Sequence, residues 1–252
     1  MKDVKIENMD WVSYHELTKK GACKIILPIG AIEQHGPHMS LNPDVLIPSY
    51  IAEKVAEKAG NMLVAPAISY GYKSQVKSGG GNFFPGTTCV TGSALENYVF
   101  DVLQAYVGHG NHEFILINGH FENSMHLCEA ADKLVKKCAV EGITIKIYLL
   151  SYWDFISEET IAQVFPDGFS GWAVEHGGVL ETSIMLKIHP ELVDMSKAVD
   201  VEPAKFPPYD VFPSDPTWVA PSGTLSSPLK ATEEKGKLIL EECVSGIVKH
   251  MS

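Results

Sequence analysis

With 252 residues, 45% of them hydrophobic and 20% charged, the chain is long enough to bury one substantial core and short enough to form a single domain over residues 1–252. Its 20 basic and 31 acidic residues leave a formal charge of -11, which argues against a nucleic-acid groove or an anionic membrane surface as partner. Cys23, Cys89, Cys128, Cys138 and Cys243 are scattered, odd in number and free of any C-x-x-C pair, so neither a disulfide framework nor a zinc knuckle is expected, and a reducing cytoplasm is the compartment they fit.

The N-terminal Met1-Lys2-Asp3-Val4-Lys5-Ile6-Glu7 alternates charged with apolar residues and lacks the apolar core of a secretory signal. No later run reaches the roughly 18 uninterrupted apolar residues of a membrane span. Short apolar runs alternating with longer helical patterns predict an α/β fold whose sheet has parallel crossovers. The first strand is expected over residues 24–29, and Glu33-Gln34-His35 follows it. Asn42-Pro43-Asp44 then leads into a helix over residues 45–59, where Ile47, Ile51 and Val55 repeat along one face while Lys54 and Lys58 fall elsewhere. A second strand over residues 62–65 precedes the loop Lys77-Ser78-Gly79-Gly80-Gly81-Asn82. Its glycines let backbone pass close to a ligand, but it lacks the Lys-Ser/Thr of a phosphate loop.

A helix over residues 93–109 precedes a third strand over residues 113–118, and His120-Phe121-Glu122 follows directly. A helix over residues 123–140 and a fourth strand over residues 145–151 lead to Tyr152-Trp153-Asp154. Glu175-His176-Gly177-Gly178 stands before a helical pattern over residues 179–188 that contains Glu181. A histidine at a helix start, flanked by carboxylates, suits general acid–base work near neutral pH; a helix-capping turn is the plainer alternative. Residues 202–228 carry Pro203, Pro207, Pro208, Pro213, Pro216, Pro221 and Pro228 among aromatic residues. That excludes regular helix or central strand and predicts a segment that wraps the surface or meets a neighbouring subunit.

Two of these clusters pair a carboxylate with an imidazole two residues apart, each directly after a buried strand. In extended backbone residues i and i+2 project to the same side, so Glu33 with His35, and His120 with Glu122, can each reach one point. Asp44 adds a fifth ligand and a carboxylate able to bridge. Three carboxylates and two imidazoles suit zinc or manganese, and the arrangement predicts two divalent ions sharing a water. Ligands of open α/β sheets gather beyond the carboxyl ends of strands, so the segments after the first, third and fourth strands point to one cleft. Trp153 and Trp172 border these clusters, and tryptophan faces hold cationic or delocalised planar groups well. His15, His38, His109, His112, His126, His189 and His250 read as hydrogen-bonded structural residues.

Pro28-Ile29-Gly30-Ala31-Ile32-Glu33-Gln34-His35-Gly36-Pro37-His38, Asn118-Gly119-His120-Phe121-Glu122-Asn123 and Glu175-His176-Gly177-Gly178 resemble the creatininase superfamily. Tyr70-Gly71-Tyr72-Lys73-Ser74-Gln75, the glycine-rich loop, Ser151-Tyr152-Trp153-Asp154-Phe155 and Phe206-Pro207-Pro208-Tyr209-Asp210-Val211-Phe212-Pro213 narrow the likeness to its creatininase members, over nearly the whole chain. The resemblance implies a three-layer α/β/α sandwich with a mostly parallel sheet, assembled as a homohexamer with two divalent ions, Zn and/or Mn, per subunit. It implies Glu33 and His120 on one ion, His35 and Glu122 on the other, and Asp44 between them.

The activity it implies is the reversible hydrolysis of the cyclic amide of creatinine to creatine, a step in creatinine degradation, in which a metal-bridging hydroxide attacks the ring carbonyl and the metals stabilise the oxyanion. By the same resemblance His176 protonates the leaving nitrogen, oriented by Glu175 or Glu181, with Glu122 as the other acid candidate. Ser78, Phe121, Trp153, Trp172, Ala173 and His176 make up the substrate side, Trp172 on a mobile flap. Phe121 stands where such enzymes carry tyrosine and Ala173 where they carry aspartate, changes that leave the five ligands intact. The alternative is another amidohydrolase of the superfamily acting on a different cyclic amide or formamide. A peptidase is less expected, because the glycine-rich loop and tryptophans point to a small enclosed pocket. A silent assembly subunit is disfavoured by the presence of all five ligands together with His176.

Overall fold

The apolar runs after residue 23 and after residue 112 become the two central strands of an all-parallel sheet. The structure, a computed structural model, describes residues 3–19 and 23–251, so Met1 and Lys2 of the charged N-terminus lie outside the described residues. In chain order its elements are α1 (Trp11–Thr18), β1 (Lys24–Ile29), α2 (Pro43–Ala59), β2 (Met62–Val64), α3 (Val76–Gly79), α4 (Gly92–Gly108), β3 (Glu113–Asn118), α5 (Ser124–Val140), β4 (Lys146–Ser151), α6 (Glu158–Val164), α7 (Val179–Ile188) and α8 (Glu233–Met251), with short 3-10 turns between them.

The strand order is β2-β1-β3-β4, every pairing parallel, with Ile25 opposite Phe114 and Phe114 opposite Ile147. Side chains alternate across the sheet. Ile26, Ile115 and Ile117 pack on one face against Ile47, Ile51 and Val55 of α2 and against Ile184 of α7 and Ile239 and Ile247 of α8. Ile25, Leu27, Ile29, Phe114 and Leu116 pack on the other against Leu95, Val99 and Leu103 of α4 and Leu127 and Leu134 of α5. Burial on both faces is why the strands read as continuous apolar runs rather than as alternating ones. The result is the expected α/β/α sandwich.

The expected strands at 24–29 and 113–118 coincide with β1 and β3, while β2 stops one residue short of 65 and β4 begins one residue after 145. Helix α2 starts earlier than expected, with Pro43 in its first turn, and ends at Gly60 in the left-handed region. That is the usual order, since proline lacks only an N–H that is unpartnered there and glycine tolerates the closing turn. The proline-rich stretch holds no strand or α-helix among the described residues, only a 3-10 turn at Pro216–Trp218. It lays Val219 and Leu225 onto Val76 and Val174, a small separate core that covers the loops above β1 and β3.

Connections leave β1 and β3 on opposite sides. Helix α2 crosses one face to reach β2, and α5 crosses the other to reach β4, so the switch point of the topology lies between β1 and β3. A crevice opens there, beyond the carboxyl ends of the two strands.

Candidate metal centre and active site

Glu33 and His35 follow β1, His120 follows β3, and Asp44 lies in the first turn of α2, which runs in over the same crevice. Glycine makes that approach possible. A Cβ at Gly30 would sit 2.3 Å from the Asp44 carbonyl oxygen, and one at Gly119 2.2 Å from the same atom, so neither strand end could carry a side chain with α2 where it is. All four functional side chains are at most 3% exposed.

Asp44 stands between the two imidazoles, one oxygen to each. Its Oδ2 lies 3.0 Å from His120 Nδ1, and its Oδ1 lies 3.0 Å from His35 Nε2. Glu33 Oε2 joins the first imidazole at 3.2 Å, and Glu181 Oε2, from α7, joins the second at 3.6 Å. Two groups of three donors result, Glu33 with Asp44 and His120, and His35 with Asp44 and Glu181, each compact enough to hold one ion. A third overlapping group adds His176 to Glu33 and His35.

The donor atoms fit cations better than they fit one another. Glu33 Oε1 and His35 Nε2 are buried without a hydrogen-bond partner, although Asp44 Oδ1 is close to the latter. Proximity without alignment is what two ligands of a shared ion show, and an orphaned buried carboxylate oxygen is otherwise costly. Electrostatics point the same way. Burial pulls the pKa of His35 and His120 down, but the surrounding Asp44, Glu181, Glu122 and Glu33 outweigh it and hold both imidazoles well above their usual range. Burial pushes Glu33 up to about 7 against the pull of His120, while at Asp44 the two imidazoles overcome burial and keep the carboxyl low.

Beside His35 the third donor is Glu181 rather than the expected Glu122. Glu122 belongs to neither trio. Residues 121–123 form a 3-10 turn rather than extended chain, so the same-side rule that holds after β1 fails after β3. Glu122 instead accepts from Gln75 N–H and from the Ser78 hydroxyl, both at 2.6 Å on Oε1, and leaves Oε2 3.4 Å from His120 Nε2. Glu181 takes the place beside His35. The resemblance named Glu181 only as an orienter of His176.

His176 is buried, and neither Glu175 nor Glu181 bonds it. Its Nε2–H donates to the Gln34 main-chain carbonyl at 2.7 Å, which turns Nδ1 toward Glu33, 3.9 Å away. Burial and the neighbouring His35, whose ring is 4.3 Å off, hold its pKa well below the ordinary value, so it is neutral with a free lone pair on Nδ1. Glu175 caps α7: its Oε1 accepts from Leu180 N–H at 2.6 Å, and burial pushes its pKa up to about 8. The plainer reading of a capping turn therefore holds for Glu175 but not for its neighbour.

A cavity of about 420 Å³ opens over this cluster. Ser78, Phe121, Trp153, Trp172, Ala173 and His176, the six substrate-side residues expected from the sequence, all line it. So do Lys77, ion-paired at 3.2 Å with Asp210 of the proline-rich segment, and the buried Tyr152, neither of them expected as a site residue, and Glu175, expected as an orienter of His176 but found at the cavity wall in its capping role. Gln34 was also missed. Its amide nitrogen reaches Gly223 O at 2.8 Å and Gly79 O at 3.3 Å, tying the glycine-rich loop to the proline-rich segment beside His176. Only its place between two ligands could have drawn attention to it.

The family model described as creatinine amidohydrolase matches residues 7–251. The chain belongs to the creatininase family. It is 49% identical to the creatinine amidohydrolase of Pseudomonas putida over 98% of its own length and 95% of that protein's. Creatininase solved in a manganese form, and a glutamate-to-glutamine mutant of creatininase solved in a zinc–zinc form and in complex with creatine, superpose with TM-scores of 0.96–0.97 at 48% identity, over 99–100% of this chain and 97–98% of theirs. More remote is the 3-dehydro-scyllo-inosose hydrolase of Thermotoga maritima, 32% identical over 73% of this chain and 56% of that one. Proteins similar to this chain thus include hydrolases named for more than one substrate.

Proposed function

We infer that this chain hydrolyses the cyclic amide of creatinine to creatine, reversibly, with two divalent ions of zinc or manganese per subunit. The observation that carries the reading is near-full-length likeness to creatininases, one of them holding creatine, coupled to a small cavity set over two donor trios that share Asp44.

Glu33, Asp44 and His120 would hold one ion, and His35, Asp44 and Glu181 the other. Bound there, divalent ions polarise a carbonyl and lower the pKa of water. The remaining steps belong to side chains. Trp153 and Trp172 present aromatic walls to a planar, delocalised ring and exclude bulk water. Phe121 and Ala173 contribute apolar wall on the same side. Glu122, anchored through Oε1 by Ser78 and Gln75, keeps Oε2 to orient water and take its proton. His176, whose Nδ1 lone pair is free, would receive the proton that Glu122 draws from water and pass it to the ring nitrogen as the bond from the carbonyl carbon breaks, because an amide nitrogen leaves only once protonated. Water supplies the oxygen added to carbon and the hydrogen added to nitrogen, which balances the ring opening.

The chain acts as one domain in a homohexamer in the cytoplasm, on the same reading. In support, Trp11 and Met125 are large apolar residues exposed at 78% and 77%, side chains of the kind that subunit contacts cover. No helix among the described residues is long and apolar enough to cross a membrane. Creatine release from creatinine by protein loaded with zinc or manganese tests the activity. Hydantoins and formamidopyrimidines in the same panel test the alternative substrates, and no turnover of creatinine alongside turnover of one of these would refute the assignment. Light scattering reads the oligomer.

A further inference from the structure

An imidazole binds a metal through whichever nitrogen carries no hydrogen, and the hydrogen bond made by the other nitrogen decides which that is. In His120, Nδ1 faces Asp44 and Glu33 at 3.0 and 3.2 Å, while Nε2 faces the Tyr72 main-chain carbonyl at 3.1 Å and Glu122 Oε2 at 3.4 Å. Tyr72 lies in an irregular stretch, so something else must hold its carbonyl in place. That something is a pair of asparagines, both 0% exposed.

Asn123 Oδ1 accepts from Tyr72 N–H at 2.8 Å, and Asn123 Nδ2 donates to Gly30 O at 3.0 Å and to Asn118 Oδ1 at 3.3 Å. Asn118 clamps the His120 main chain from both sides, Nδ2 donating to His120 O at 2.7 Å and Oδ1 accepting from His120 N–H at 3.2 Å. The polarity of both amides is dictated by backbone groups that can only donate or only accept. Asn123 precedes α5, where a side-chain cap would be its ordinary task, yet it makes no capping bond. Its side chain instead joins three elements around one ligand: the loop holding Tyr72, the end of β1 at Gly30, and the end of β3 at Asn118.

We propose that Asn123 is a positioning residue of the metal centre, which by fixing the Tyr72 main chain presents the carbonyl that receives the His120 Nε2 hydrogen and so reserves Nδ1 for the ion. The proposal rests on the reading of His120 as a ligand. Removing such an outer partner typically lowers metal affinity by about 10- to 100-fold.

The test measures zinc affinity by competition with a chromophoric chelator, alongside thermal unfolding, for wild type, Asn123→Ala and Leu134→Ala. Leu134 is buried on the α5 face against the sheet, away from the ligands, and reports what loss of packing alone does to zinc binding. Asn123→Ala is expected to bind zinc about 10- to 100-fold more weakly, and Leu134→Ala to bind it as wild type does despite a lower melting temperature. Asn123→Ser takes the place of Asn123→Ala if the latter does not fold. Independently of any variant, long-range nitrogen–proton spectra of zinc-loaded wild type are expected to show His120 protonated at Nε2. Protonation at Nδ1, or an asparagine variant that binds zinc within about twofold of wild type, overturns the positioning role. A wild type that takes up no zinc overturns the reading of His120 as a ligand instead.

Discussion

Gly79→Ala is the sharpest probe of the centre, because it perturbs a ligand without touching one. Gly79 ends α3 in the glycine-rich loop, and a Cβ built there lies 2.1 Å from Glu33 Oε1 and 2.6 Å from Ser74 Oγ. Ordinary contact begins near 3.4 Å, so the Glu33 carboxylate would have to retreat by more than an ångström. It has little freedom to do so, being buried and engaged through Oε2 with His120. Gly79 is helical and not in the left-handed region, so alanine meets no backbone strain and the whole effect is steric. A misplacement of about 1 Å in a reacting constellation is worth up to about 10²-fold in rate, and overpacking costs about 1–3 kcal/mol of stability. Gly79→Ala is therefore expected to lower kcat/KM for creatinine by about 10²-fold and to weaken retention of the ion at Glu33, while the melting temperature falls by roughly 2–12 °C. Gly108→Ala is the control, a position at the end of α4 with nothing within 4 Å, where alanine should hold or raise stability and leave turnover alone. Metal content by mass spectrometry and a coupled creatine assay read both variants. Wild-type metal content and turnover in Gly79→Ala would refute the placement of Glu33 in the centre.

Two further substitutions separate the carboxylates that the fold brings to His35 and to His120. Glu181→Ala is expected to lose about one ion per chain, and Glu122→Gln to keep both while turnover falls by about 10²- to 10⁴-fold, the range of a lost acid–base group. The reverse pattern in metal analysis would restore Glu122 as the second ion's ligand. His38 supplies a pH prediction. Burial, then the His35 charge, depresses its pKa to about 4, and Nε2 pairs with Thr182 at 2.9 Å while Nδ1 has no partner. A histidine whose folded pKa lies below the unfolded value of 6.5 stabilises the fold least at low pH, because the folded state resists a proton that the unfolded chain accepts. Stability is thus lost as pH falls from about 6.5 toward about 4, and His38→Asn should gain about 2 kcal/mol on wild type in urea unfolding between pH 7 and pH 5. Parallel pH profiles would mean that His38 titrates normally in the fold.

The sheet was legible because its two central strands are buried on both sides. An uninterrupted run such as Lys24-Ile25-Ile26-Leu27-Pro28-Ile29 can hardly be anything else between turn residues, and α2, α4 and α5 carry one apolar face each. Among the helices that escaped, along with α1, α3 and α6, was α8. Gly236 and Gly246 interrupt its pattern, and only in the folded chain is the reason visible: a Cβ at Gly236 would lie 2.0 Å from Ser183 O of α7, so the glycine serves a close helix crossing. Packing against a partner distant in sequence leaves no local signature.

The site divides along the same physical line. Glu33 with His35 could be read from period-two geometry because the chain stays extended after β1, and Asp44 because a carboxylate at the start of a helix entering the same crevice has few other tasks. After β3 the chain curls into a 3-10 turn at Phe121, which carries Glu122 away from the shared point and toward Ser78 and Gln75. The carboxylate beside His35 is instead Glu181, which lies in the first turn of α7, is placed by Gly177 N–H on its Oε2 at 2.8 Å, and from the sequence reads only as an orienter of His176. Gln34 was hidden differently. It sits in the ligand sequence itself, but its contribution to His176 is made by a main-chain carbonyl, an atom that every residue carries and no sequence pattern distinguishes. The same holds for Tyr72, whose carbonyl meets His120. Spacing can therefore reveal which side chains converge on an ion when the chain between them is regular, whereas the atoms that decide which imidazole nitrogen faces it belong to the backbone and become visible only once the fold is in place.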